Sequence, residues 1–160
     1  MICGFGASVL ATIPGVKSIA CCTVVPLAAI ISVYLYNKAN PSEQKFATGT
    51  GLMLGFFTGV IGALFASFFD VLITYLTQTN EFVTSFPQSE SIIKDFNLGP
   101  LVDESLKLMK QMRDEIVSSG FSAFYTFMIL ISNLITYCIF GFFGGALAVV
   151  IINKQKRNNH

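Results

Sequence analysis

The sequence predicts an all-α integral membrane protein with three transmembrane helices, and three observations carry that expectation. Charge nearly vanishes from three long stretches, most clearly between Lys45 and Glu81, where only Asp70 interrupts thirty-five residues. Hydrophobic residues fill 53% of the 160 positions and charged ones 12%, about half the ~25% of an average soluble domain. Small side chains recur every fourth position along the second stretch, at Ala47, Gly51, Gly55, Gly59, Ala63 and Ser67. Residues four apart share a helix face, and in lipid a ridge of small residues lets a second backbone come close. One membrane domain is expected, with three spans, an N-terminal interfacial segment and an amphipathic helical insert.

Residues 1–16 are apolar but broken by Pro14-Gly15, and fall short of the ~20 residues that cross a bilayer. A short interfacial or re-entrant helix is expected, with a full span as the alternative. No basic residue precedes this run, so it makes a poor secretory signal. Ser18-Ile-Ala-Cys21 resembles a lipoprotein cleavage box, but it lacks a Leu-like first residue and Lys17 stands on the wrong side of the apolar run. Cleavage is not expected. The first span is placed at 18–36, between Lys17 and Lys38. Pro26 withholds one backbone donor inside it and predicts a kink, and Tyr34 and Tyr36 suit the membrane interface.

The polar turn at 37–45 is short enough to make the next helix antiparallel. That second span is placed at 46–76, and thirty-one residues rise about 46 Å. The hydrocarbon core is ~30 Å thick, so the helix must tilt or project.

The insert, 78–120, is the water-compatible region. A short helix is expected around Ser89–Phe96, stopping near Asn97-Leu98-Gly99, and Pro100 suits the first turn of another that runs to about Val117. Leu101, Ser105, Leu108, Met112 and Ile116 fall at helical spacing, and Asp103, Lys107, Lys110 and Asp114 share the opposite face. Asp103–Lys107 and Lys110–Asp114 are expected as i,i+4 pairs. Such a helix lies on a membrane surface or against a partner. The last span, 121–152, carries Ser132, Asn133 and Thr136 in its middle and a Gly141–Gly145 GxxxG pair beyond. One long tilted span fits better than two short ones. A basic tail, 153–160, closes the chain.

Lys38, Lys45, Lys154, Lys156 and Arg157 all sit beside span ends, whereas the insert dilutes its basic residues among acidic ones. The positive-inside rule then puts the turn and the C-terminus in the cytoplasm and the insert outside.

Catalytic chemistry is not expected. The single histidine is His160, so no Ser-His-Asp or Cys-His set can form, and Gly49-Thr50-Gly51 lacks the Lys-Ser/Thr of a phosphate loop. Cys3, Cys21, Cys22 and Cys138 show no CxxC spacing, so neither a zinc site nor a disulfide framework is expected. No cofactor is indicated, and a net charge of +1 gives no reason to expect nucleic acid.

Two polar residues inside the apolar runs remain as candidates. Asp70 is either a carboxylate at the membrane edge or an ion or proton site, since ionisable groups within spans are costly. Asn133 is expected to bond a neighbouring helix. The glycine ridge either packs within the monomer, against the first or last span, or docks a partner or second copy.

The stretch Ile13-Pro-Gly15, Cys21-Cys22 and Tyr34-Leu-Tyr36, followed by a Gly-rich second helix and a closing Gly-Gly span with a basic tail, resembles small multi-pass bacterial membrane proteins of unknown function. Met109–Gly120 is similar to the soluble insert of a related bacterial group. The resemblance implies a bacterial inner membrane, and because these families have no assigned activity it lends none. Two functions are carried forward: a non-catalytic scaffold or accessory subunit packing through its glycine faces, and a small oligomeric ion or proton channel using Asp70. The lipid bilayer and a protein partner, or a second copy, are the associations expected.

Overall fold

The structure is a computed structural model that describes residues 2–12, 17–41, 45–95 and 100–158. The Pro14-Gly15 break, the Asn97–Gly99 stop and His160 lie outside the described residues. Every regular element among those described is helical: α1 (Ile2–Ala11), α2 (Lys17–Ala39), α3 (Thr48–Thr77), α4 (Glu81–Asp95), α5 (Pro100–Ser119) and α6 (Ala123–Asn158). Three of them, α2, α3 and α6, are long and apolar enough to cross a membrane.

Helix α2 extends past its expected 18–36 at both ends, while α3 and α6 each start two residues later than expected and end beyond 76 and 152. Helix α3 has 30 residues and α6 has 36, or about 45 and 54 Å at 1.5 Å per residue. Helix α6 passes unbroken through Gly141–Gly145, because Phe142, Phe143 and Leu147 present an apolar outer face while the glycines take the inner one. The chain divides into two compact units, Met1–Phe69 with Leu130–His160, and Asp70–Ile129.

The first unit has small residues inside and large ones outside. Gly51, Gly55, Gly59, Ala63, Ala66, Ala28, Ala29, Gly141, Gly144 and Ala148 are buried. Leu27, Met53, Phe57, Phe68, Ile135, Phe143 and Val150 are more than half exposed. A water-soluble bundle needs its large apolar side chains in the core. An apolar solvent lifts that need and leaves close backbone packing as the reason for association.

Helix α1 is part of this packing. Its ten residues rise only about 15 Å, and Gly4, Ala7, Ser8 and Ala11 form its buried stripe. A Cβ on Gly4 would sit 2.8 Å from the Thr58 carbonyl oxygen and 3.1 Å from Gly62 N, both on α3. The Phe5 ring meets Phe65 edge-on at 5.1 Å.

The second unit is built on another plan, with large side chains inside. Phe86, Leu106, Met112 and Ile116 are buried, and Phe82 stacks near both Phe86 and Tyr125. Helix α4 begins eight residues before its expected start, because Asn80 caps it: the Asn80 Oδ1 accepts the Val83 N–H at 2.9 Å. Pro87 then lies inside α4. The inward face of α5 keeps the expected Met112 and Ile116 but takes Leu106 in place of Leu108, which is 46% exposed. Lys110 pairs with Glu90 of α4 at 2.8 Å, and Asp114 pairs with Arg113 at 2.7 Å. The Arg113 guanidinium also lies over the Phe86 ring, 5.0 Å from its centre. Periodicity alone missed this pairing because a second helix, α4, competes for the same charges.

Candidate functional site: a glycine seam and its polar neighbours

Helices α3 and α6 run antiparallel and meet along glycine. A Cβ on Gly55 would sit 2.8 Å from the Cα of Gly145 and 3.0 Å from its nitrogen. One on Gly141 would sit 2.5 Å from the Gly55 carbonyl oxygen and 3.1 Å from Gly59 Cα. Gly59 abuts the backbone of Tyr137 and Cys138, and Gly51 abuts Val149 and Gly145. The obstructing atoms are mostly backbone, which cannot swing aside. Here glycine is required by close approach.

The seam continues at both ends with other chemistry. Ala63 is fully buried in a cluster with Ala11, Val25, Ala66 and Tyr137. Ser67 is buried, and its Oγ accepts a hydrogen bond from Asn133 Nδ2 at 3.0 Å. Interhelical bonds of this kind average about 0.6 kcal/mol in lipid, with some near 2. At the opposite end Asn153 clamps the approach to α3. Its Oδ1 accepts the Phe46 N–H at 2.7 Å while its Nδ2 donates to the Phe46 carbonyl at 3.1 Å. Ala47 stands apart from the seam: it is exposed, and precedes the first residue of α3.

The third long helix joins through one more glycine. A Cβ on Gly144 would lie 2.5 Å from the Pro26 carbonyl oxygen and 2.8 Å from the Ala29 Cβ. Val33 packs with Ala148 and Ile152 further along.

Asp70 lies in the other unit as defined by packing. It is half-buried, twenty-two residues after Thr48, or about 33 Å along α3. Its backbone carbonyl accepts the Thr74 hydroxyl at 2.7 Å, and Asn80 Nδ2 donates to that hydroxyl at 3.3 Å. On α5, the Ser122 and Gln111 side chains hold the Glu115 carboxyl below its ordinary range. Cys3, Cys22 and Cys138 are free thiols.

The periodicity of α3 pointed to the ridge but not to its partners. Gly4 and Gly62 were missed, although the spacing Gly4, Ala7, Ser8, Ala11 is itself a small-residue stripe. The Asn153–Phe46 clamp had no sequence signal beyond an asparagine at the end of an apolar run. No protein-family model, curated protein or solved structure matches this chain.

Proposed function

We propose that the protein is a non-catalytic membrane scaffold or accessory subunit that presents its 78–120 insert to a protein partner. The observation that carries this reading is the insert's own core. Phe86, Leu106, Met112 and Ile116 are buried within the second unit, and the Glu90–Lys110 pair joins α4 to α5. A folded module offers a fixed surface, which a flexible loop does not. Its exposed apolar positions, Leu108, Val117 and Ile92, are where a partner can gain burial. The glycine faces of α3 and α6 pack the first unit from within.

The second reading, a small oligomeric ion or proton channel, draws on Asp70, a half-buried carboxylate in an otherwise uncharged helix. Affinity purification of the full chain from native membranes, in mild detergent, separates the two. The scaffold reading expects a partner in fixed ratio, lost in Leu108→Glu/Val117→Glu while the chain still inserts. Purified protein that conducts ions in liposomes, with the flux abolished by Asp70→Asn, would contradict it and favour the channel.

The five cations beside the ends of the long helices favour a cytoplasmic turn and tail, and the resemblance to small bacterial membrane proteins favours an inner membrane. A fluorescent protein fused after His160 is then expected to fold and fluoresce. Activity of a phosphatase fused there, with none for one inserted near Gly99, would reverse the orientation.

A further inference from the structure

At one end of the first unit, beside the Asn153–Phe46 clamp, α3 and α6 leave an open groove of about 720 Å³. That volume lies within the range of small-molecule sites, roughly 300–1,000 Å³. Two kinds of surface line it. Lys45, Lys154, Lys156 and Arg157 supply positive charge, and Val149 and Val150 supply an apolar wall. Val150 is 64% exposed on the outer face of α6, so the wall opens toward the surface where Phe143 and Leu147 also point outward.

The charge is one-sided. The only acidic residue in the sequence segments that make up the first unit is Glu43. The groove floor is fixed, because both polar atoms of the Asn153 amide are already held by the backbone of Phe46. A cationic end beside an apolar wall, at the boundary of an apolar bundle, fits an amphiphile with an anionic head. A free anion would make no use of the valines, and an acidic peptide would gain little from a wall that runs along the outer face of a span. Basic pockets between transmembrane helices at the membrane surface hold anionic headgroups in this way.

We propose that this groove binds an anionic phospholipid, its phosphodiester among Lys45, Lys154 and Arg157 and the start of an acyl chain along the exposed Val150, with the buried Val149 closing the groove behind it. The inference requires the chain to be membrane-embedded but is independent of the scaffold or channel reading.

The test is native mass spectrometry of the full chain released from nanodiscs. These hold equal amounts of palmitoyl-oleoyl phosphatidylglycerol and palmitoyl-oleoyl phosphatidylcholine. Incorporation into the disc reports embedding, and the identity of retained lipid reports the groove. The wild-type chain is expected to retain phosphatidylglycerol in clear preference. Each cation at a membrane surface contributes about fivefold, so Lys45→Gln/Arg157→Gln should reduce that preference about twenty-fivefold. Lys107→Gln, on the exposed face of α5, should leave it unchanged. Excess inorganic phosphate should not displace the lipid. Equal retention of the two lipids by the wild-type chain would overturn the proposal without need of any variant. So would an unchanged preference in the double variant, or ready displacement by phosphate, which would mark a free-anion site.

Discussion

Gly55→Leu is expected to leave the chain inserted in the membrane but unable to hold α3 against α6. The first added carbon would already meet Gly145 Cα at 2.8 Å, and three more follow it. Overpacking of a well-packed interior costs typically 1–3 kcal/mol, because neighbouring side chains absorb part of the strain. Backbone atoms offer no such relief, so a loss of about 3 kcal/mol or more is expected. Phe57→Leu is the matched control: the ring is 51% exposed, and surface changes usually stay within about 0.5 kcal/mol. Unfolding of the two variants in the same detergent checks the contrast. Equal losses at positions 55 and 57 would mean that glycine on α3 is only compositional.

Gly120→Val is expected to damage the second unit alone. Gly120 ends α5 with φ at +73°, and its N–H bonds the Ile116 carbonyl at 2.8 Å. This is a left-handed helix cap, a conformation that glycine adopts freely. A side chain here is doubly opposed. Left-handed backbone costs an ordinary residue about 1–2 kcal/mol, more for a β-branched one. The new Cβ would also lie 2.7 Å from the Tyr75 carbonyl oxygen and 3.1 Å from Tyr75 Cα. A combined loss of about 3 kcal/mol is expected. Hydrogen exchange can localise it: amides of α5 should lose protection while those of α2 keep theirs. Unchanged protection across α5 would contradict the cap and its contact with α3.

These two glycines show what the sequence could and could not reveal. The four-residue recurrence through Gly51, Gly55 and Gly59 is a local pattern, and it identified the close-packing face of α3 directly. The long apolar runs likewise identified the three spans, since burial in lipid depends on composition more than on partners. Which helix fills the ridge is a different kind of information. The sequence favoured packing within the monomer, against the first or last span, over docking of another chain, and only the positions of Gly141 and Gly145 place α6 there. Helix ends were less legible. The start of α4 depends on a single cap, Asn80, which a reading anchored on Ser89 passed over. The face of α5 was read correctly at Met112 and Ile116 but not at Leu108, because Leu108 and Leu106 lie two residues apart and either can begin a helical stripe. What resolved it was tertiary: Lys110 reaches Glu90, and Arg113 covers Phe86.

The candidate site follows the same division. Asn133 was legible as a polar residue in an apolar run, and its bond to Ser67 joins it to the last residue of the predicted ridge. The cationic groove was legible only as a basic tail, because Lys45 and Arg157 are far apart in sequence. Their convergence rests on the antiparallel register that the glycines set.

That register within a single chain is the central claim, and disulfide trapping tests it most directly. In a background with Cys3, Cys21, Cys22 and Cys138 replaced by Ser, Gly51→Cys and Val149→Cys are introduced together. A Cβ at position 51 would collide with the Val149 side chain, and Cys at 149 removes one of the two methyl groups there. The remaining separation suits a disulfide, whose Cβ atoms lie about 3.5–4.5 Å apart. Mild oxidation in native membranes should yield one cross-linked species of monomer mass. The pair Met53→Cys/Val150→Cys, both on exposed faces, should not cross-link within the chain. A disulfide from 51 and 149 that appears only between chains, or equal trapping of the two pairs, would contradict the seam.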